Sequence, residues 1–198
     1  MIIKSLKARE ILDSRGVPTV EVVLETEKGK FKGACPSGTS AGKHEAVELR
    51  DGTERFFGKG VLKAVKNVEE TIALAVVGKN FESQKEFDDF LNGIDTTENK
   101  SNLGANAILP VSIAFCRAMA FEKEMPLYKF LAQIIGNQKL SLPRPCFNIL
   151  EGGKHAGNNL EVQEFMAVPF FDKFGENLRA GAEVYWQLKM LLIKNFGE

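Results

Sequence analysis

The sequence predicts an α+β domain over residues 1–136, followed by the start of a second unit at residues 141–198. Three observations carry this. Strand-like alternation dominates up to Cys35, helical periodicity runs from Val61 to Ile134, and a new strand–strand–helix order opens after Pro143. A block of strands followed by a block of helices is the pattern of a sheet with helices packed on it. The polar run Gly136-Asn-Gln-Lys139 breaks the helical pattern, which places the boundary between Gly136 and Pro143.

The stretch Ile2 to Leu12 alternates weakly and ends in the turn Asp13-Ser14-Arg15-Gly16. From Thr19 to Glu27 the alternation is clean, with Val20, Val22 and Leu24 on one face and Glu21, Val23 and Glu25 on the other. Lys28-Gly29 suits a tight turn, and Lys30 to Cys35 returns with Phe31, Gly33 and Cys35 on one face. This predicts an antiparallel meander with one wet face. The loop Pro36 to Gly42 follows, and Lys43 to Arg50 is expected to be a short helix.

Val61, Val65, Val68, Ile72 and Val76 recur at helical spacing, as do Phe87, Phe90, Leu91 and Ile94. Asn106 to Glu122 is apolar around every helical face, which marks a buried helix with Pro110 near its start. Pro126 opens a helix through Leu127, Phe130, Leu131 and Ile134. Beyond the boundary, Cys146 to Leu150 and Val162 to Val168 are short apolar runs between Gly and Pro punctuation, the signature of buried strands. The last helix carries an apolar stripe of Phe174, Leu178, Ala182, Tyr185, Leu188, Leu192 and Phe196, with Gly197 as its stop.

Composition narrows the function. Lys+Arg 26 against Asp+Glu 26 leaves no global field to attract nucleic acid or an anionic membrane. Cys35, Cys116 and Cys146 are widely spaced and form no Cys-x-x-Cys pair, which favours reduced thiols and a cytoplasmic protein. The first residues lack the apolar core and cleavage site of a leader. Leu103 to Phe121 has the length of a membrane span, but Asn106, Pro110, Ser112 and Arg117 interrupt it, so no transmembrane segment is expected.

Chemistry concentrates between the two late strands. Gly152, Gly153 and Gly157 allow a sharp turn close to a ligand, and His155, Asn158, Asn159, Glu161, Gln163 and Glu164 stand around them. Glu161 reads as a solvated charge. His155 alone could equally be an ordinary loop residue. Neighbours on a strand alternate faces, so Gln163 and Glu164 share a face only at a bulge or a strand end.

Four stretches, in register and covering essentially the whole chain, identify a resemblance. They are Leu12-Asp-Ser-Arg-Gly16 with Pro18-Thr-Val-Glu-Val22, Ser37-Gly-Thr-Ser-Ala-Gly-Lys-His-Glu-Ala46, Leu103-Gly-Ala-Asn-Ala-Ile-Leu109, and Asn148-Ile-Leu-Glu-Gly-Gly-Lys-His-Ala-Gly157 with Gln163-Glu-Phe-Met166. Together they resemble the enolase family, the phosphopyruvate hydratases of glycolysis and gluconeogenesis. The resemblance implies a small α+β domain followed by the first strands and helix of a truncated TIM-like β/α barrel. It also implies dehydration of 2-phosphoglycerate to phosphoenolpyruvate with two Mg²⁺ ions, and a homodimer when the barrel is complete.

Residue by residue, the resemblance makes Ser40 a lid-loop ligand of the second Mg²⁺. It makes His155 a catalytic and substrate-contacting residue, Gln163 a substrate-binding amide, and Glu164 an acid near the departing hydroxyl. Arg15 falls at a subunit contact, although it also reads as an exposed turn residue. The chain departs from the family pattern at Thr39 and Ala41 in the lid and at Val17 after Arg15. It lacks the barrel's magnesium carboxylates, catalytic lysine motif and Gly-Asp-Glu-Gly-Gly motif, and Lys154 and Lys189 stand in no such motif. A closed barrel takes typically ~250 residues. The expectation is therefore the N-terminal portion of an enolase, inactive by itself. Two alternatives are a non-catalytic enolase-derived interaction module and a superfamily member acting on another carboxylate. The joint presence of Ser40, His155, Gln163 and Glu164 favours enolase.

Overall fold

Strands β1 (Ser5–Leu12), β2 (Pro18–Thr26) and β3 (Gly29–Cys35) form an antiparallel meander with β2 in the centre. The computed structural model describes residues 1–38, 42–137, 139–153 and 156–197. They divide into two units, Met1–Gln138 and Lys139–Glu198. In the first, Val20 pairs with Cys35, Val22 with Gly33 and Leu24 with Phe31. The alternating valines and leucine therefore fall on one face, and Val20, Val22 and Leu24 are fully buried there. Along the outer edge, Glu69 Oε1 accepts the Ala8 amide at 3.4 Å and blunts part of an otherwise open strand.

Helices cover the apolar face. α1 (Leu62–Asn67) runs through one wide turn at Val68–Ile72 into α2 (Ala73–Val76). The Asp51 carboxylate caps its start, accepting from Leu62 at 3.0 Å and Lys63 at 2.8 Å. α3 (Gln84–Ile94) begins with a reciprocal cap: Ser83 Oγ accepts the Glu86 amide at 3.1 Å, and Glu86 Oε2 accepts the Glu82 amide at 2.7 Å. α4 (Ala105–Glu122) and α5 (Leu127–Ile134) complete the unit. Phe87 stacks on Phe115 with ring centroids 3.9 Å apart, and Phe81 meets both edge-on.

α4 lies directly on the sheet because β3 offers no side chain at Gly33. A Cβ there would run into the Pro110 carbonyl and the Ala114 amide. Among the described residues this is the one helix long and apolar enough to cross a membrane, and 56% of that stretch is buried within the protein. It serves here as the central core helix.

The helix expected over Lys43–Arg50 does not form. Its backbone groups are bonded by another element instead. Val47 donates to Asn99 O at 2.8 Å and accepts from the Ala105 amide at 2.8 Å. Leu49 donates to Asn106 Oδ1 at 2.9 Å and accepts from Asn106 Nδ2 at 3.0 Å. The Asn106 amide imitates a neighbouring strand, so the segment stays extended against the start of α4.

Asp95, between α3 and α4, is wholly buried. Burial raises its pKa, but the Thr97 hydroxyl at 2.5 Å and the Leu103 and Thr97 amides at 2.8 and 3.0 Å outweigh that. The net shift is downward. A carboxyl whose folded pKa is depressed stabilises the fold above its unfolded pKa and loses that contribution as pH falls through the folded value. Acid titration of stability should accordingly show a loss below the ordinary aspartate range. Asp95→Asn should flatten that loss and cost roughly 1.5–3 kcal/mol near neutrality, the worth of hydrogen bonds to a charged group. Denaturant unfolding at a series of pH values measures both.

The second unit pairs β4 (Phe147–Glu151) with β5 (Glu164–Ala167) and adds α6 (Phe174–Phe196). Both strands are displaced toward the Gly-rich loop and β5 is shorter than its apolar run suggests. The helix does not pack through the expected stripe: Phe174, Leu178, Ala182, Tyr185, Leu192 and Phe196 are exposed, and only Leu188 is partly covered. Its packed side is set by Gly181, which lies under the Phe147 ring, and by buried Asn177. Asn177 accepts from the Phe171 amide at 2.8 Å and donates to its carbonyl at 2.9 Å. Small size at Gly181 and the Asn177 bonds thus fix the rotation of α6.

Phe165, Met166, Phe170, Trp186 and Phe196 remain exposed, Phe196 by 82%. Apolar surface on this scale weakens a unit that has few buried contacts of its own. Limited proteolysis of the 198-residue chain should therefore cut within Lys139–Glu198 and leave Met1–Gln138 as the resistant product. Mass spectrometry identifies the products; equal protection of both units would contradict the comparison.

Candidate functional site

Two places carry the residues singled out by the sequence, one in each unit. Ser40 and His155 lie outside the described residues. In the first unit, the β1–β2 turn closes on Asp13, whose Oδ1 accepts the Arg15 amide at 2.8 Å and the Val17 amide at 2.9 Å. The Val17 bond leads the causes that hold the Asp13 carboxyl below its ordinary range, with Arg15 adding to it. The Arg15 guanidinium reaches Asp13 Oδ2 at 3.2 Å and the Ser37 carbonyl at 2.5 Å. It thereby ties the turn to the near end of the loop that carries Ser40.

Arg50 holds the same loop from the other side. Its guanidinium donates to the Pro18 carbonyl at 2.7 Å, the Lys59 carbonyl at 2.6 Å, the Glu48 carboxylate at 2.5 Å and Ser37 Oγ. Ser37 in turn donates to Glu48. At the far end, Glu45 Oε1 accepts the Gly42 amide at 2.7 Å. Arg15, Ser37, Gly38, Glu48, Arg50 and Lys59 line an open cleft of about 420 Å³. Sequence reading missed Glu48 and Arg50 because a helix over Lys43–Arg50 would have turned them to solvent.

In the second unit the ladder pairs Phe147 with Ala167, Asn148 with Met166, Leu150 with Phe165 and Glu151 with Glu164, leaving Ile149 as a bulge. The extra residue reverses the alternation, so Asn148 and Glu151 share a face although they stand three apart. Their contact follows from it: Asn148 Nδ2 donates to Glu151 Oε1 at 2.8 Å. Glu164 stands on that same face, directly across from Glu151. Gln163 precedes β5 and accepts the Gly152 amide at 2.8 Å through its carbonyl. The strand-end condition for placing Gln163 beside Glu164 is thus met.

The Gly-rich loop is drawn together at its base. Gly153 donates to the Leu160 carbonyl at 2.8 Å, Asn158 Nδ2 donates to the Glu151 carbonyl at 3.0 Å, and the Leu160 amide donates to Asn158 Oδ1 at 3.1 Å. Gly152 is required by proximity, since a Cβ there would strike the Val162 carbonyl and the Leu160 side chain. Glu151 is the residue the sequence concealed. It lies next to the glycine pair, and its facing position becomes legible only when the bulge fixes the parity of the strand.

Family models match along both units. The N-terminal domain of enolase matches residues 3–131 and the C-terminal TIM barrel domain of enolase matches residues 139–198. The chain belongs to the enolase family. It is 52% identical over 200 residues to enolase 1 of Entamoeba histolytica, covering 100% of this chain and 46% of that protein. It is 53% identical to the enolase of Mastigamoeba balamuthi, covering 98% of this chain and 45% of that one. The enolase of Eimeria tenella is 55% identical, with 98% of this chain and 46% of that enolase covered. The chain therefore spans just under half the length of the enolases it matches. Its α+β unit and its strand–strand–helix unit correspond to the small domain and to the opening of the barrel.

Replacing Gly152 with Ala should open the base of the Gly-rich loop. The clash is with a carbonyl of the opposing chain segment, so the unit loses about 1–3 kcal/mol by overpacking. Amide hydrogen exchange should show faster exchange at Gly153 and across Glu164–Ala167, with the Met1–Gln138 unit unchanged. Unaltered protection at these amides would count against the close approach.

Proposed function

We propose that this chain serves the dehydration of 2-phosphoglycerate to phosphoenolpyruvate, with Glu164 at the reacting centre. The observation that carries the reading is the start of β5. There Glu164 and Gln163 stand side by side at a strand end, in a chain that enolases match along its whole length. In this reading Glu164 manages the proton on the departing hydroxyl, and the Gln163 amide binds substrate. His155 reaches the phosphate and the reacting region from the Gly-rich loop.

Ser40 offers its oxygens to the second Mg²⁺ from the lid loop, which Arg15, Arg50 and Glu45 anchor at both ends. Bound Mg²⁺ supplies the positive charge that makes a doubly charged carboxylate intermediate accessible. Among the described residues, no group of three or more His, Cys, Asp and Glu side chains could hold a metal. Further carboxylate ligands are thus not assigned to this chain. A cytoplasmic location and a homodimer belong to the same proposal. The cleft lined by Arg15, Arg50 and Lys59 would face an acidic group of the second subunit.

In an enzyme completed with the rest of the barrel, Ser40→Ala should lower kcat by ~100-fold or more with little change in substrate affinity, because the lid contact forms as the site closes. Glu164→Gln should lower kcat by ~100-fold or more with the fold intact, since it removes the proton-transferring group but not its shape. The purified 198-residue chain should give no phosphoenolpyruvate absorbance at any Mg²⁺ concentration. Turnover by that chain, or normal kcat in the Glu164→Gln enzyme read beside circular dichroism, would overturn the assignment.

A further inference from the structure

We infer that Glu151 and Glu164 form a divalent-cation site on the outer end of the β4–β5 ladder. Two independent observations meet here. The two carboxylates are directly paired across an antiparallel ladder, where like charges destabilise the strands unless something neutralises them. In addition, Glu151 Oε2 is shielded from solvent and has no hydrogen-bond partner, while Oε1 is already engaged by Asn148 Nδ2 at 2.8 Å. A buried carboxylate oxygen without a partner is costly, and the pairing leaves the strands no donor with which to satisfy it.

The chemistry of the facing groups selects the ligand. Glu151, Glu164 and the Asn148 amide oxygen are all hard oxygen donors on one face, as the bulge at Ile149 requires. Two carboxylates match the charge of a dication such as Mg²⁺ or Mn²⁺, and water completes its coordination. No nitrogen or sulfur ligand belongs to this set. With only two anionic ligands the site is weak, and it forms on the second unit's own strands. It depends on the β4–β5 geometry and not on the dehydration reading, so its test needs no turnover.

Mn²⁺ is the probe. Titration of the 198-residue chain with Mn²⁺, with the free ion counted by electron paramagnetic resonance, should show saturable binding in the millimolar range that added Mg²⁺ displaces and K⁺ does not. Glu151→Gln and Glu164→Gln should each weaken binding by roughly 10-fold or more, because each removes one anionic ligand. Glu161→Gln, which neutralises a nearby exposed carboxylate, should leave it unchanged. Glu151→Asp keeps the donor chemistry and should retain more affinity than Glu151→Gln, which separates ligation from loss of structure. Absence of saturable binding by the unmodified chain overturns the site, as does Glu151→Gln binding that equals the unmodified chain. If Glu151→Gln disturbs the far-ultraviolet dichroism, the Glu164→Gln titration decides.

Discussion

Everything in the first unit rests on how close α4 can come to the sheet. With no side chain at Gly33, the helix backbone around Pro110 and Ala114 sits against β3, and Ala107, Val111, Ala114 and Phe115 become fully buried. That burial supplies most of the apolar stabilisation available to the unit. It also fixes where α4 begins, and Asn106 at that point determines the path of Val47 to Leu49. The lid loop inherits its anchors from this path, because Glu48 and Arg50 lie in the same extended segment and grip Ser37. A packing contact in the core therefore governs a loop at the surface.

The second unit works on a different constraint. It has little core, and its geometry is set by the bulge at Ile149, the close approach at Gly152 and the Phe147 ring over Gly181. The bulge determines which side chains share a face with Glu164, while Gly152 and Asn158 close the loop that follows β4. Function and weakness arise together here. The residues of chemical interest occupy strand ends and a short loop, and the strands' neighbouring apolar groups lie open to solvent. Elements of this kind open locally at low free energy.

Much of this was legible in the chain itself. Period-two alternation around Val20, Val22 and Leu24 and helical periodicity from Val61 onward predict the elements, because each pattern has one face to bury. The motifs around Asp13, Gly38, Leu103 and His155 carry the resemblance that the family models bear out. Two local expectations gave way, and for a shared reason. Lys43–Arg50 has helix-compatible residues, yet Asn106 bonds its backbone from a distance. The stripe Phe174–Phe196 has the most apolar side chains, yet the contact falls on Gly181 and Asn177 because size and hydrogen bonding decided the fit.

By itself, then, the sequence determined the order and type of the main elements, the family, and the cluster of polar groups around the two late strands. These depend on local periodicity and on contiguous motifs. Tertiary structure alone decided that Arg50 and Glu48 hold the lid loop and that Glu151 stands across from Glu164. Both depend on which backbone groups find partners far along the chain, and on one extra residue in a strand that reverses the facing of every residue beyond it.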